Sequence, residues 1–183
     1  NYHYIVPELG QSKIMLTENK PLIEYRLAKK ELGIETIPTM IGPFTFVHLS
    51  KVEGNYNKDF YIPKISAAYI DILKELAKEG IKEVYIEEPA LVLDLTKNQI
   101  DSVISVYNQI SDSVKDIDIT IQTYYEAVSD YERLMNELPV KGIGLDFVSN
   151  TENLEFLQNK GFPKDKVLNA GIVDGRNIWK TNI

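Results

Sequence analysis

Apolar residues recur along this chain in two alternating rhythms. Over 62–78, Ile65, Tyr69, Ile72, Leu73 and Leu76 stand three or four apart, the spacing of one helical face, and Gly80 follows as a stop. Over 82–87 the rhythm shortens. Val84 and Ile86 alternate with Tyr85 and Glu87, which is the period of a strand. The same pair of rhythms predicts helices over 98–110, 130–136 and 151–159, and strands over 36–41, 117–123, 140–146 and 166–172. Earlier in the chain, 1–6 reads as a strand ended by Pro7, and 13–16 as a weaker one. Pro21 opens a helix carrying Leu22, Ile23, Leu27 and Leu32, with Gly33 just past its end. A short helix is expected over 44–51 and a loop over 54–57.

Strict alternation of helix and strand implies βαβ crossovers and a parallel sheet. In such folds, sites form where the strands end. A doubly wound sheet and a (β/α)₈ barrel both satisfy the pattern. No Gly-x-Gly-x-x-Gly loop follows a strand, so the dinucleotide-binding version loses ground. A complete barrel takes about 250 residues, whereas this chain has 183. The expected fold class is α/β: an incomplete parallel (β/α)₈ TIM-barrel type, about five to six units, forming a single domain over 1–183.

Composition narrows the function. Hydrophobic residues make up 44%, enough for a sizeable core, and the formal net charge is −7, which argues against a nucleic-acid partner. The cluster Lys20, Arg26, Lys29 and Lys30 reads as a solvated helix face. The chain has no Cys and two His, so neither a cysteine zinc site nor a histidine-rich one is expected. No membrane-spanning run and no leader is visible, and a cytoplasmic location is expected. Because the chain opens on Asn1 inside a patterned stretch, it is expected to be a piece of a longer protein.

Five places carry candidate chemistry. Glu87 and Glu88 follow one another on a strand, so they point to opposite faces and cannot act as a facing pair. If Val84 and Ile86 pack against helices, Glu87 faces the interior at the barrel mouth. There it reads equally as a ligand contact or as an anchor for loop amides. Asp146 shares a face with Gly142 and Gly144, which are expected to leave space beside it. It reads as a substrate contact or as a cap for 148–150. Asp174, Arg176 and Asn177 bring an acid, a cation and an amide into one turn. Arg176 could hold a carboxylate in a fork or lock the turn by pairing with Asp174 or Glu87. His3 reads as a general base or as a hydrogen-bonded core residue, and Tyr124 and Tyr125 as rim packing whose hydroxyls could orient a ligand. No nucleophile–base–acid set can be assembled from the spacing.

Five stretches in register resemble one family. They are Asn1-Tyr2-His3-Tyr4-Ile5-Val6-Pro7-Glu8, Ile41-Gly42-Pro43-Phe44-Thr45-Phe46, Glu87-Glu88-Pro89-Ala90-Leu91-Val92-Leu93-Asp94-Leu95, Gly144-Leu145-Asp146, and Gly171-Ile172-Val173-Asp174-Gly175-Arg176-Asn177-Ile178-Trp179. Together they are similar to cobalamin-independent methionine synthase, and specifically to most of its N-terminal barrel. The resemblance implies a two-barrel methyltransferase that moves a methyl group from 5-methyltetrahydrofolate, as the triglutamate, to homocysteine. It places zinc and the homocysteine ligands on the C-terminal barrel, so no metal ligand and no catalytic residue is expected here. It also places the N-terminal barrel's folate contacts in a segment ahead of Asn1.

By the same resemblance Glu87 stands where the family usually has Asp, and only its pocket position carries over. Glu87, Asp146, Asp174, Arg176 and Asn177 are thus pocket candidates for substrate. The expected partners are the C-terminal barrel, 5-methyltetrahydrofolate polyglutamate and homocysteine, with the isolated chain inactive and self-associating through open strand edges. The alternative is a noncatalytic scaffold with no small-molecule ligand. A stand-alone metal hydrolase is disfavoured by the two His and absent Cys.

Overall fold

A computed structural model describes residues 6–11, 13–54 and 57–180. The expected strand over 1–6 and His3 lie almost wholly or wholly outside the described residues. The remaining order is β1 (Glu8–Leu9), α1 (Lys20–Leu32), β2 (Thr39–Ile41), α2 (Pro43–Leu49), β3 (Lys51–Val52), α3 (Ile62–Lys78), β4 (Glu83–Glu87), α4 (Lys97–Ser113), β5 (Asp118–Gln122), α5 (Tyr131–Glu137), β6 (Gly142–Asp146), α6 (Glu152–Lys160) and β7 (Val167–Gly171). Single 3₁₀ turns at Lys58–Tyr61 and Pro89–Val92 lead into or follow these elements.

Five strands form one parallel sheet in the order β2-β4-β5-β6-β7. Among the described residues the order follows the chain without reversal and has no topological switch point. This is the winding of a barrel rather than of a doubly wound sheet. Among the described residues the sheet does not close: β2 and β7 are its two edges. β1 and β3 form a separate two-stranded parallel pair.

Local chemistry explains where the helices begin. Asn19 accepts the Leu22 amide at 3.2 Å ahead of α1, and Gly33 ends that helix at φ +69°. Thr96 and Gln99 form a reciprocal capping box at the start of α4. Ile65, Tyr69, Leu73 and Leu76 of α3 are buried, as are Ile100, Val103, Ile104, Tyr107 and Ile110 of α4. These two stripes pack on the outer face of the sheet through Val84, Ile86 and Ile121, all fully buried. Tyr85 and Glu87, on the other face, remain half-buried.

Three expectations need correction. The stretch 13–16 forms no strand: the partner of β3 is Glu8–Leu9 instead. The short helix ends at Leu49, because Lys51 and Val52 leave it to pair with β1. In α1 only Leu22 and Tyr25 are buried, while Ile23, Leu27 and Leu32 are exposed, since among the described residues nothing packs on that side of the edge helix. No helix is long and apolar enough to cross a membrane among the described residues.

Candidate functional site

The strand ends carry two acidic centres of different build. The first belongs to Glu88, one residue past β4. Its carboxylate is fully buried and accepts four hydrogen bonds. Oε1 takes the Phe44 amide at 3.1 Å and the Tyr107 hydroxyl at 2.8 Å. Oε2 takes the Thr45 amide at 2.8 Å and the Thr45 hydroxyl at 2.6 Å. Phe44 and Thr45 are the first turn of α2, whose N-cap residue, Gly42, has no side chain to offer. Glu88 therefore caps α2 from 43 residues away in sequence to Thr45. Gly42 makes this possible, because a Cβ there would lie 2.0 Å from the Glu88 carboxyl carbon. Burial pushes the Glu88 carboxyl above its ordinary range, and the hydrogen bonds from Thr45, Tyr107 and Phe44 pull the other way. Of the two neighbours, Glu88 is thus the one that anchors main-chain amides, and they are those opening α2.

Glu87 itself points to the opposite face and is half-buried. The Tyr124 hydroxyl approaches it at 3.5 Å. Burial, then the Glu87 charge, push that phenol up to about 12. Glu87 sits in register with Gln122 of β5, which sits in register with Gly144 of β6.

The second centre is Asp146, at the end of β6. One oxygen accepts the amides of Val148 at 2.8 Å and Ser149 at 2.9 Å, and the other accepts the Tyr125 amide at 3.0 Å. Partial burial raises this carboxyl, but the main chain and hydroxyl of Ser149, with the amides of Val148 and Tyr125, outweigh it and hold it below the usual range. The capping reading of Asp146 is what the geometry contains. The space expected beside Gly142 and Gly144 is already filled. The Thr120 hydroxyl lies where a Gly142 Cβ would be met at 2.7 Å, and the Gln122 amide lies 2.0 Å from a Gly144 Cβ.

Beyond β7, Asp174 accepts the Arg176 amide at 3.0 Å, its carbonyl accepts the Asn177 amide at 3.1 Å, and Asn177 accepts the Trp179 amide at 3.0 Å. The turn is locked through main-chain donors. The alternative lock fails: among the described residues the Arg176 guanidinium makes no ion pair with Asp174 or Glu87.

A cleft of about 430 Å³ at the ends of β5, β6 and β7 collects Gln122, Tyr124, Tyr125, Asp146, Asp174 and Arg176. It brings together three of the five pocket candidates. Glu87 joins only through Tyr124, and Asn177 is not in the wall. Tyr125, expected at the rim, has a feature that sequence reasoning missed: its φ is +86°, the only left-handed non-glycine among the described residues. Such a backbone costs a bulky residue on the order of 1–3 kcal/mol. It also missed Asn153, fully buried in the first turn of α6, which donates to the Asp146 carbonyl at 2.9 Å and the Glu126 carbonyl at 3.3 Å and accepts the Val128 amide at 3.2 Å.

The family described as "Cobalamin-independent synthase, N-terminal domain" matches residues 1–183. Curated relatives named 5-methyltetrahydropteroyltriglutamate–homocysteine methyltransferase are 48% identical over 186 residues in Bacillus licheniformis, 45% over 184 in Halalkalibacterium halodurans and 43% over 188 in Thermotoga maritima. Each alignment covers 100% of this chain and 24%, 24% and 25% of the relative, so the chain spans about a quarter of their length. A parallel sheet wound in chain order, a Gly42–Glu88 contact joining two of the quoted stretches, and this end-to-end match agree: the chain belongs to the cobalamin-independent synthase family, as N-terminal domain sequence.

Proposed function

We propose that this chain is part of a methyltransferase that passes the methyl group of 5-methyltetrahydropteroyltriglutamate to homocysteine, giving methionine. In that enzyme it forms most of an N-terminal barrel, supports a C-terminal catalytic barrel and contributes to receiving the folate. The observation that carries this reading is the match of residues 1–183, end to end, to one family. Alone, the chain turns over no substrate, and it self-associates through its unpaired strand edges. The pocket candidates Asp146, Asp174 and Arg176, with Glu87 and Asn177 behind them, shape the wall that faces the folate.

Zinc, in this reading, is held by the rest of the enzyme, where it would make the homocysteine thiol a thiolate. Among the described residues no three His, Asp or Glu side chains converge on a point, and the chain has no Cys. The donors present do not suit that metal, and no step through it is assigned to this chain.

A second reading, a scaffold without a small-molecule ligand, is favoured by one observation. Both oxygens of the Asp146 carboxylate and one of Asp174 are already engaged by loop amides. Calorimetric titration with 5-methyltetrahydropteroyltriglutamate separates the two. Saturable heat that falls at least tenfold in apparent affinity in Arg176→Ala supports the folate wall, and no heat supports the scaffold. Stoichiometric zinc binding by the chain would overturn the metal-free assignment. Sedimentation velocity tests self-association, and a monomer at high concentration would refute it.

A further inference from the structure

Tyr125 presents a puzzle of cost and return. Its backbone is left-handed, a conformation glycine would adopt without strain. The residue is 59% exposed, so burial within the chain does not offset that strain. Yet the surrounding loop is held from four directions. The Tyr125 amide goes to Asp146 at 3.0 Å, and the Glu126 carboxylate takes the Asn150 amide group at 2.7 Å. Asn153 donates to the Glu126 and Asp146 carbonyls and accepts the Val128 amide, so both its donor hydrogens and its oxygen are committed to main chain. Over-determination of a strained residue by its surroundings marks positions where the side chain is used.

What the ring is held for can be read from its neighbours. Tyr125 and Tyr124 meet edge to face, centroids 4.8 Å apart at 88°, and make a right-angled aromatic corner. The same cleft holds Arg176, whose guanidinium has no ion pair among the described residues. Both carboxylate oxygens of Asp146 are turned to amides, as is one oxygen of Asp174. The cleft thus presents an aromatic face beside a cation with no ion pair. We propose that Tyr125 is a ligand-contact residue, that with Tyr124 and Arg176 it seats an aromatic ring linked to a carboxylate, and that Asn153 is the positioning residue that keeps its loop in place. The inference rests on the folate reading and sharpens it: the portion of the substrate recognised here is the benzoyl ring with a carboxylate of the glutamate joined to it through an amide.

The test uses 4-aminobenzoyl-glutamate as probe, with calorimetry, thermal melting and the Tyr125 amide resonance as readouts. The chain is expected to bind it saturably. Tyr125→Gly should lose at least tenfold in affinity while its melting temperature stays level or rises. Tyr125→Phe should stay within about threefold of the parent, because the ring rather than the hydroxyl is used. Asn153→Asp, which cannot donate to the two carbonyls, should shift the Tyr125 amide resonance and weaken the probe at least fivefold. No saturable binding by the parent chain overturns the proposal, as does Tyr125→Gly binding within twofold of the parent. The folate reading fails separately: a probe bound at Tyr125 that 5-methyltetrahydropteroyltriglutamate does not displace leaves the seat standing without that substrate. Folate binding indifferent to Tyr125→Gly does the reverse.

Discussion

Glu88 and Asp146 both follow a strand of the same sheet and both accept main-chain amides, yet they are opposite devices. Glu88 is sealed between β4, α2 and α4, and its four donors come from two helices. Asp146 stands at a cleft, and all its donors come from loops. The first fixes how secondary structure packs, and the second fixes how loops are displayed. Burial decides the difference, since a carboxylate taken wholly from water must be surrounded by donors or abandoned. The two also titrate in opposite senses: Glu88 is raised and Asp146 lowered.

The sharpest way to break this comparison is Glu88→Gln. Either way round, its amide group turns a hydrogen toward a main-chain N–H, of Phe44 or Thr45, that cannot accept it, and we expect a loss of about 3 kcal/mol in urea unfolding. A loss no greater than that of Asp146→Asn would erase the distinction between the two centres. Next comes Gly42→Ala, whose new methyl collides with the Glu88 carboxyl and should cost about 2 kcal/mol by the same measurement. Combining it with Glu88→Gln should add little beyond the larger single effect, because both disrupt one contact. Asp146→Asn follows, at about 1 kcal/mol, through the Tyr125 and loop amides.

Titration sharpens the contrast further. The Asp146 carboxyl is lower in the folded chain than in the unfolded one. Its contribution is therefore complete above the ordinary value of about 4 and fades as pH falls through the folded value. The stability gap between the parent and Asp146→Asn should shrink below about pH 4. For Glu88, raised on folding, the sign reverses. The parent should gain on Glu88→Gln as pH falls toward about 4 and lose ground as pH rises through the folded value. Parallel pH profiles for the two variants would contradict this. The smallest effect belongs to Glu87→Gln, within about 0.5 kcal/mol, since a single 3.5 Å approach from Tyr124 is all that it would disturb.

Much of the architecture was legible before any coordinates. The strands over 36–41, 82–87, 117–123, 140–146 and 166–172 contain all five members of the main sheet, because alternation and helical spacing are local signals. Legibility stopped where partners lie far apart in the chain. Alternation placed Glu88 on the helix side, but nothing local said that the amides of Phe44 and Thr45 awaited it. A clue existed: a short helix opening on Gly42-Pro43 has no capping side chain of its own, so its first amides need an acceptor from elsewhere. Tyr125 offered no clue, since neither glycine nor asparagine marks the left-handed position. The glycines of β6 misled, because an absent side chain signals room without saying whose side chain takes it.

That last point reaches beyond the fold. With the Gln122 amide lying across Gly144, and Thr120 across Gly142, two adjacent strands share one layer of volume. Neither position is free to drift by itself. A side chain gained at 144 must be matched by one shortened at 122, so these sites behave as a single heritable unit. A designer recolouring this wall would have to exchange the pair together, moving bulk from one strand to its neighbour while the total stays constant.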